Sequence, residues 1–229
     1  MKKINVAVVG CGRIAGHHCR AIKSNHNFNL VAVCDLLKEK SDEYAKEFEC
    51  DSFNNYDKML IEKNEIDLVS IVTPSGMHYE HACDIISKYK KNIVVEKPTF
   101  MKPSQIREAF ELAKKNDVEI FPVFQNRYNI AVQKVKESID SGELGDIRLV
   151  SVRVRWCRPQ RYYEMSDWRG TFSHDGGALT NQGIHHVDLI RYLAGDVEQV
   201  NCTMGTIGVK NVEVEDTAVG TFKFSYGIL

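Results

Sequence analysis

Along the first half of the chain, short apolar runs alternate with stretches whose apolar residues recur at helical spacing. "INVAVV", Ile4 to Val9, is apolar at nearly every place and rich in β-branched side chains. That is the signature of a strand buried on both faces of a parallel sheet. "FNLVAVC", "IDLVSIV", "NIVVE" and "VEIFPVF" repeat it, and "AGHHCRAI", "LLKEKSDEYAKEF", "GMHYEHACDIISKY" and "PSQIREAFELAKKN" between them have the amphipathic spacing of helices. Strands separated by helices imply right-handed crossovers and a doubly wound parallel sheet.

The pattern changes after Phe124. "AVQKVKESIDSGELGD" predicts an amphipathic helix closed by a glycine turn. In "IRLVSVRVRWC" the apolar places alternate, with Val150, Val152, Val154 and Trp156 on one side and Ser151, Arg153, Arg155 and Cys157 on the other. Period two predicts a half-covered strand of an antiparallel sheet. "VEQVNCTMGTIG" and "TAVGTFKFSYGIL" predict two more, the second alternating Ala218, Phe222, Phe224 and Tyr226 against polar neighbours. The expected class is therefore α/β: a Rossmann-type parallel domain over 1–123, then an α/β domain over 124–229 built on a large, open, mainly antiparallel sheet. The last run reaches Leu229 with no turn or cap, so this domain is expected to be incomplete.

Composition narrows the function classes. The 229 residues carry a net charge of −1, with 43% hydrophobic and 27% charged residues, as in a soluble globular protein. No overall basic surface points to nucleic acid or membrane, so any anion site is local. The seven cysteines are scattered, odd in number and without a Cys-x-x-Cys pair, which predicts reduced thiols in a cytoplasmic protein. The apolar run after Met1 is too short for a signal peptide, and no stretch is long enough for a membrane helix.

Chemistry enters at the first strand's end. Gly10-Cys-Gly12-Arg13-Ile14-Ala15 has the form G-x-G-x-x-A: a tight turn, a close approach for a pyrophosphate, and a small residue where helix meets strand. The following helix aims free N–H groups and its positive end at the phosphates. Asp35 closes the second strand, 23 residues after Gly12, where a carboxylate accepts the adenosine ribose hydroxyls and repels a 2′-phosphate, favouring NAD. Thr73-Pro74-Ser75 and Glu96-Lys97-Pro98 fall at later strand ends and His78 just beyond, all expected to face the nicotinamide half of the cofactor. His78 and His81 form H-x-x-H, but a third and fourth ligand at matching spacing are missing, so no metal is predicted.

"GGALTNQGIHHVDLI" raises a sharper question. A helix starting near Asn181 sets Asn181, His185 and Asp188 on one face, with His186 on another beside Leu189, Ile190 and Leu193. His185 is open to three readings: a structural histidine, a metal ligand lacking partners, or the base that hydride chemistry requires for a hydroxyl proton. Upstream, Arg153, Arg155, Arg158, Arg161, Tyr162, Tyr163, Trp168 and Arg169 crowd together. Guanidinium forks suit carboxylate or phosphate and flat rings suit sugars or bases, although subunit interfaces favour the same residues.

The ordered set of G-x-G-x-x-A, Asp35, "TPSGMH", "EKP" and "GGALTNQGIHHVD" resembles the Gfo/Idh/MocA oxidoreductases over essentially the whole chain. The resemblance implies a Rossmann domain, a second domain whose sheet face forms homodimer or homotetramer contacts, and Lys97 and His185 at the reacting carbon with residue 181 beside them. Many members have aspartate in place of Asn181 and asparagine in place of Ser75. "FPVFQNRYN", "VRVRWCRPQRYYEMSDWRGTF" and "LTNQGIHHVDLIRYL" resemble the WlbA/WbpB-type UDP-N-acetylglucosaminuronate 3-dehydrogenases, which oxidise a sugar C3 hydroxyl in making surface polysaccharides. That implies an anionic nucleotide-sugar substrate held by Arg155, Arg158, Tyr163 and Asn181. The alternatives are a dehydrogenase of a neutral polyol such as inositol and a non-catalytic NAD sensor.

Overall fold

The computed structural model describes residues 2–225, in two compact units, Met1–Val123 and Phe124–Leu229. In the first unit β1 (Ile4–Val9), β2 (Phe28–Cys34), β3 (Asp51–Phe53), β4 (Leu68–Ile71), β5 (Asn92–Val95) and β6 (Ile120–Pro122) form one sheet. All its pairings are parallel and its order is β3-β2-β1-β4-β5-β6. Chain order reverses about β1, so the crevice beyond the carboxyl ends of β1 and β4 is the place where such sheets bind ligands.

Alternation along β1 divides the core. Ala7 and Val9 pack with Met59, Leu60, Ala82, Ile85, Ile86, Ala109 and Ala113 on one face, and Val8 packs with Ala15, Cys19, Ala45 and Phe48 on the other. These come from α3 (Tyr56–Glu62), α4 (His78–Asp84) with the residues that follow it, and α5 (Pro103–Lys115) on the first face, and α1 (Ala15–Ser24) and α2 (Lys38–Phe48) on the second. Both faces of the sheet are thus covered, which is why its strands read as continuous apolar runs. Each fully buried Val or Ile contributes about 1.5–3 kcal/mol. The long helix expected after Thr73 is built from three pieces: a 3₁₀ turn over Ser75–Met77, α4, and a π-helical stretch over Ile85–Tyr89. Two short elements escaped the apolar pattern, β3 and α3; the start of α3 is marked by Asn55, whose side chain accepts from the Lys58 N–H.

The second unit holds α6 (Ile130–Asp140), α7 (Gln160–Tyr163), a π-helical stretch over Ala178–Gly183, α8 (Ile184–Ala194), and the antiparallel pair β7 (Val197–Gly205) and β8 (Thr217–Phe224). Among the described residues the expected large sheet is therefore two strands. Residues 147–157 form no strand, although their alternation predicts one, and both of their faces are exposed. A period-two pattern records which side a strand would bury; a ladder needs a partner chain of N–H and C=O groups. Tyr226 and the expectation of an unfinished strand fall on residues 226–229, outside the described residues.

Among the described residues no helix is long and apolar enough to cross a membrane, and no group of three or more His, Cys, Asp or Glu side chains could hold a metal ion. All seven cysteines are free thiols; Cys11, Cys19 and Cys34 are buried, and Cys157 and Cys202 are exposed. Burial pushes the Cys19 and Cys34 thiols up to about 12, which leaves them protonated and inert at neutral pH.

Candidate active site

Gly10 sits at φ +101°, and a side chain there would lie 2.8 Å from the Val72 carbonyl oxygen and 2.9 Å from the Thr73 nitrogen. The turn therefore hugs the end of β4 because no side chain intervenes. Its N–H donates to the Cys34 carbonyl at 2.7 Å, tying it to β2 as well. Gly12 is the opposite case: no protein atom lies within 4 Å of where its side chain would begin. The exposed Arg13 and Ile14 complete the turn, and Ile14, as N-cap of α1, offers no side-chain cap, with no acid in the first helical turn. The Ala15 and His17 N–H groups bond the Gly12 and Ile14 carbonyls at 3.0 Å, and the positive dipole end of α1, without a side-chain cap, suits phosphate.

Asp35 is knitted into this turn. Its carboxylate accepts from the Cys11 N–H at 2.8 Å and from the Leu37 N–H at 2.9 Å, so its direction is fixed while lone pairs remain for ribose hydroxyls. Tyr44 donates to the Gly12 carbonyl at 2.9 Å and steadies the loop from the α2 side. These features fit a dinucleotide: an open glycine, an uncapped helix start and an oriented acid at the second strand's end.

The loops after β4 and β5 are joined by histidines. His78 is buried, its Nδ1 2.9 Å from the Pro98 carbonyl and its Nε2 2.8 Å from the Thr73 carbonyl. Burial holds its pKa below the ordinary value, so the neutral ring carries one proton for these two acceptors. His81 meets the Thr73 hydroxyl at 3.0 Å and packs edge-on against Tyr56. Both histidines thus brace the Thr73-Pro74 loop. Glu96 is engaged on both oxygens, by His18 Nε2 at 3.0 Å and by the Lys97 N–H at 2.9 Å. The other His18 nitrogen meets the Ser70 hydroxyl at 2.9 Å. Burial raises the Glu96 pKa, but His18 and the Lys97 N–H outweigh it and leave the carboxyl below its usual range. This network holds the peptide that carries the half-buried Lys97, with a cis bond between Lys97 and Pro98.

In the second unit, the "DGGAL" turn begins at Asp175, only 2% exposed. Gly177 adopts φ +86°, and a side chain there would overlap the Glu215 carboxylate, which accepts from the Leu179 N–H at 2.9 Å. The π-helical stretch then delivers Asn181, and the first turn of α8 delivers His185, each 8% exposed. Single π turns are frequent at functional sites. Asp188, expected beside them, is instead committed to Arg127, whose Nε and Nη2 grip its two oxygens as a fork, the Nε at 2.8 Å. This ion pair anchors α8.

The arginine-rich segment forms an alternating stack. Arg158 lies 3.8 Å from the Trp156 ring centre and 4.8 Å from that of Tyr162; Arg169 lies 4.1 Å from Tyr162 and 4.6 Å from Trp168. Aromatic rings thus flank both guanidinium groups at cation–π distance. Arg158 Nη2 donates to Gln182 at 2.9 Å. Tyr163 packs edge-on against Tyr162, and burial followed by Asp175 and Asp216 raises its hydroxyl pKa. Arg155 is exposed and outside the stack. Asp175 and Gln182 escaped sequence reasoning, because nothing in their spacing marks their partners.

A parallel sheet of this order with an open glycine turn and an oriented acid at β2 defines a dinucleotide-binding domain. Residues 4–124 match the model of the oxidoreductase family with an NAD-binding Rossmann fold, residues 132–229 match that of the GFO/IDH/MocA C-terminal domain, and the chain belongs to this family. The crystal structure of the WlbA dehydrogenase from Bordetella pertussis in complex with NADH and UDP-GlcNAcA is similar, with a TM-score of 0.94, 35% identity, and 99% of this chain and 69% of that one covered. The glucose-6-phosphate 3-dehydrogenase of Bacillus subtilis is 30% identical over 100% of this chain and 65% of its own length. The myo-inositol 2-dehydrogenase of Thermotoga maritima is 26% identical over 99% of this chain and 66% of its own length. The chain thus spans about two thirds of the length of the relatives it matches.

Proposed function

We propose that the protein oxidises the C3 hydroxyl of a UDP-linked N-acetylated uronic acid, using NAD⁺, in the making of sugars for surface polysaccharides. The observation that carries this is the Trp156–Arg158–Tyr162–Arg169–Trp168 stack. Two permanent cations with covered faces suit a substrate bearing a diphosphate and a carboxylate; a neutral polyol has no use for them. Likeness to a dehydrogenase crystallised with UDP-GlcNAcA supports the same substrate.

NAD⁺ held at the glycine turn would supply the hydride acceptor. Gly12 and the start of α1 would receive its pyrophosphate, and Asp35 its ribose. His185 takes the hydroxyl proton as general base. The Lys97 ammonium orients the hydroxyl and lowers its pKa; with the roles exchanged, Lys97 is the base. Arg155, Arg158 and Tyr163 hold the anionic part of the substrate, and Asn181 its sugar. The protein works in the cytoplasm as a homodimer or homotetramer.

The test supplies the protein with UDP-N-acetylglucosaminuronate and excess NAD⁺ and follows keto sugar by mass spectrometry. Product that depends on the sugar nucleotide is expected. NAD binding without product would sink the substrate assignment. The second reading, oxidation of a neutral polyol, draws on the likeness to an inositol dehydrogenase. It predicts turnover of inositols instead, whereas a sensor would turn over neither.

A further inference from the structure

Two side-chain amides in the second unit lie in a hydrogen-bond chain whose direction is set at its ends. At one end Arg158, which only donates, gives its Nη2–H to Gln182 Oε1 at 2.9 Å. That turns Gln182 Nε2 toward the Tyr162 hydroxyl at 3.2 Å and toward Asn181 Oδ1 at 3.4 Å. At the other end the Asp175 carboxylate accepts the Asn181 Nδ2–H on Oδ1 and the Gly170 N–H on Oδ2 at 2.8 Å. The amide of Asn181 therefore has one satisfied orientation, nitrogen to Asp175 and oxygen away from it. Buried at 2% and 8% exposure, Asp175 and Asn181 have little water to replace this bond.

We propose that Asp175 is a positioning residue that turns Asn181 so that residue 181 meets its substrate hydroxyl as a hydrogen-bond acceptor. The same chain ties this acceptor to Arg158, so the side chain assigned to the substrate's anion and the one assigned to its sugar share one network. The substrate hydroxyl rests on the function proposed above; the orientation of the amide does not. Asp175 touches no reacting atom in this account and acts through Asn181.

The network makes a specific forecast about exchange of the two residues. In Asp175→Asn alone, an amide facing both the Asn181 Nδ2–H and the Gly170 N–H has one acceptor for two donors. Asn181→Asp alone sets two carboxylates against each other. The double variant Asp175→Asn/Asn181→Asp restores every bond: the amide oxygen introduced at position 175 accepts from the Gly170 N–H, and its nitrogen donates to the carboxylate introduced at position 181.

The experiment has two arms on the full chain. In ¹³C,¹⁵N-labelled protein the Asn181 side-chain amide, assigned through its own Cβ and Cα, should show one downfield proton that exchanges slowly with water. It should be absent in Asp175→Asn. Fast exchange of both amide protons in the wild type overturns the proposal whatever the turnover, and this arm needs no variant to fold. In the kinetic arm each single variant should lose about 100-fold in kcat, at the low end of general acid–base effects, with NADH affinity within about twofold. The double variant should return to within about tenfold of wild type. A double variant no better than either single one overturns the proposal. A protected amide in a wild type that turns over no sugar nucleotide would uphold the orientation and bring down the substrate assignment alone.

Discussion

In the proposed reaction His185 and Arg158 divide the work between proton and charge. Replacing His185 by alanine removes the proposed base, so kcat should fall by about 10²–10⁴-fold while NADH affinity, measured by fluorescence titration, stays within about twofold. Unchanged turnover would end the assignment. Arg158→Ala removes a charge-assisted donor and one layer of the stack between Trp156 and Tyr162. KM for the sugar nucleotide should rise by about tenfold or more, in line with hydrogen bonds to charged groups. An enzyme of neutral polyols would show no such rise. Candidate residues at the glycine turn were legible because each has a geometric duty at fixed spacing. Helical phase sets Asp188 on the face of His185 but says nothing of Arg127 reaching that face from another element. Asp175 was illegible: its partners, Gly170 and Asn181, meet it only once the glycine pair and the π turn have formed.

At the scale of elements, the glycine turn separates folding from binding. Gly10→Ala forces a methyl against the Val72 carbonyl at φ +101°, so both thermal stability and NADH affinity should drop. Gly12→Ala meets no protein atom, so its melting temperature should match wild type while NADH affinity falls by about tenfold or more. Equal effects of the two substitutions would contradict the assignment of Gly12 to the pyrophosphate. The turn before β8 gives a pH test. Asp216 is raised by burial, but the N–H groups of Ile207, Gly208 and Val209 and the Thr217 hydroxyl outweigh this and hold it at about 2, against an ordinary 3.8. Folding thus favours its ionised form. The stabilisation is complete above the ordinary value and is lost as pH falls through about 2. Denaturant titrations from pH 5 to 2 should show a smaller acid-induced loss of stability in Asp216→Asn than in wild type. Parallel acid limbs would show that the turn does not contribute. The βα alternation made five strands of the first sheet readable, while β3, three residues long, carries too little pattern to be seen. Residues 147–157 show the converse, a clear alternation with no ladder among the described residues.

For the molecule as a whole, the parallel order β3-β2-β1-β4-β5-β6 places Gly10, Thr73 and Glu96 at neighbouring strand ends. That part of the function follows from topology and was legible from the order of motifs. The bonds among Arg158, Gln182, Asn181 and Asp175 were not, because they arise from tertiary packing that no periodicity encodes. The central claim is hydride removal from the sugar's third carbon, and UDP-N-acetylglucosaminuronate deuterated at C3 tests it most directly. With NAD⁺ and the full chain, the account predicts that the deuterium appears in the reduced nicotinamide and that the sugar becomes a 3-keto product one deuterium lighter. A keto product that keeps its deuterium, or reduced cofactor without the label, would contradict it.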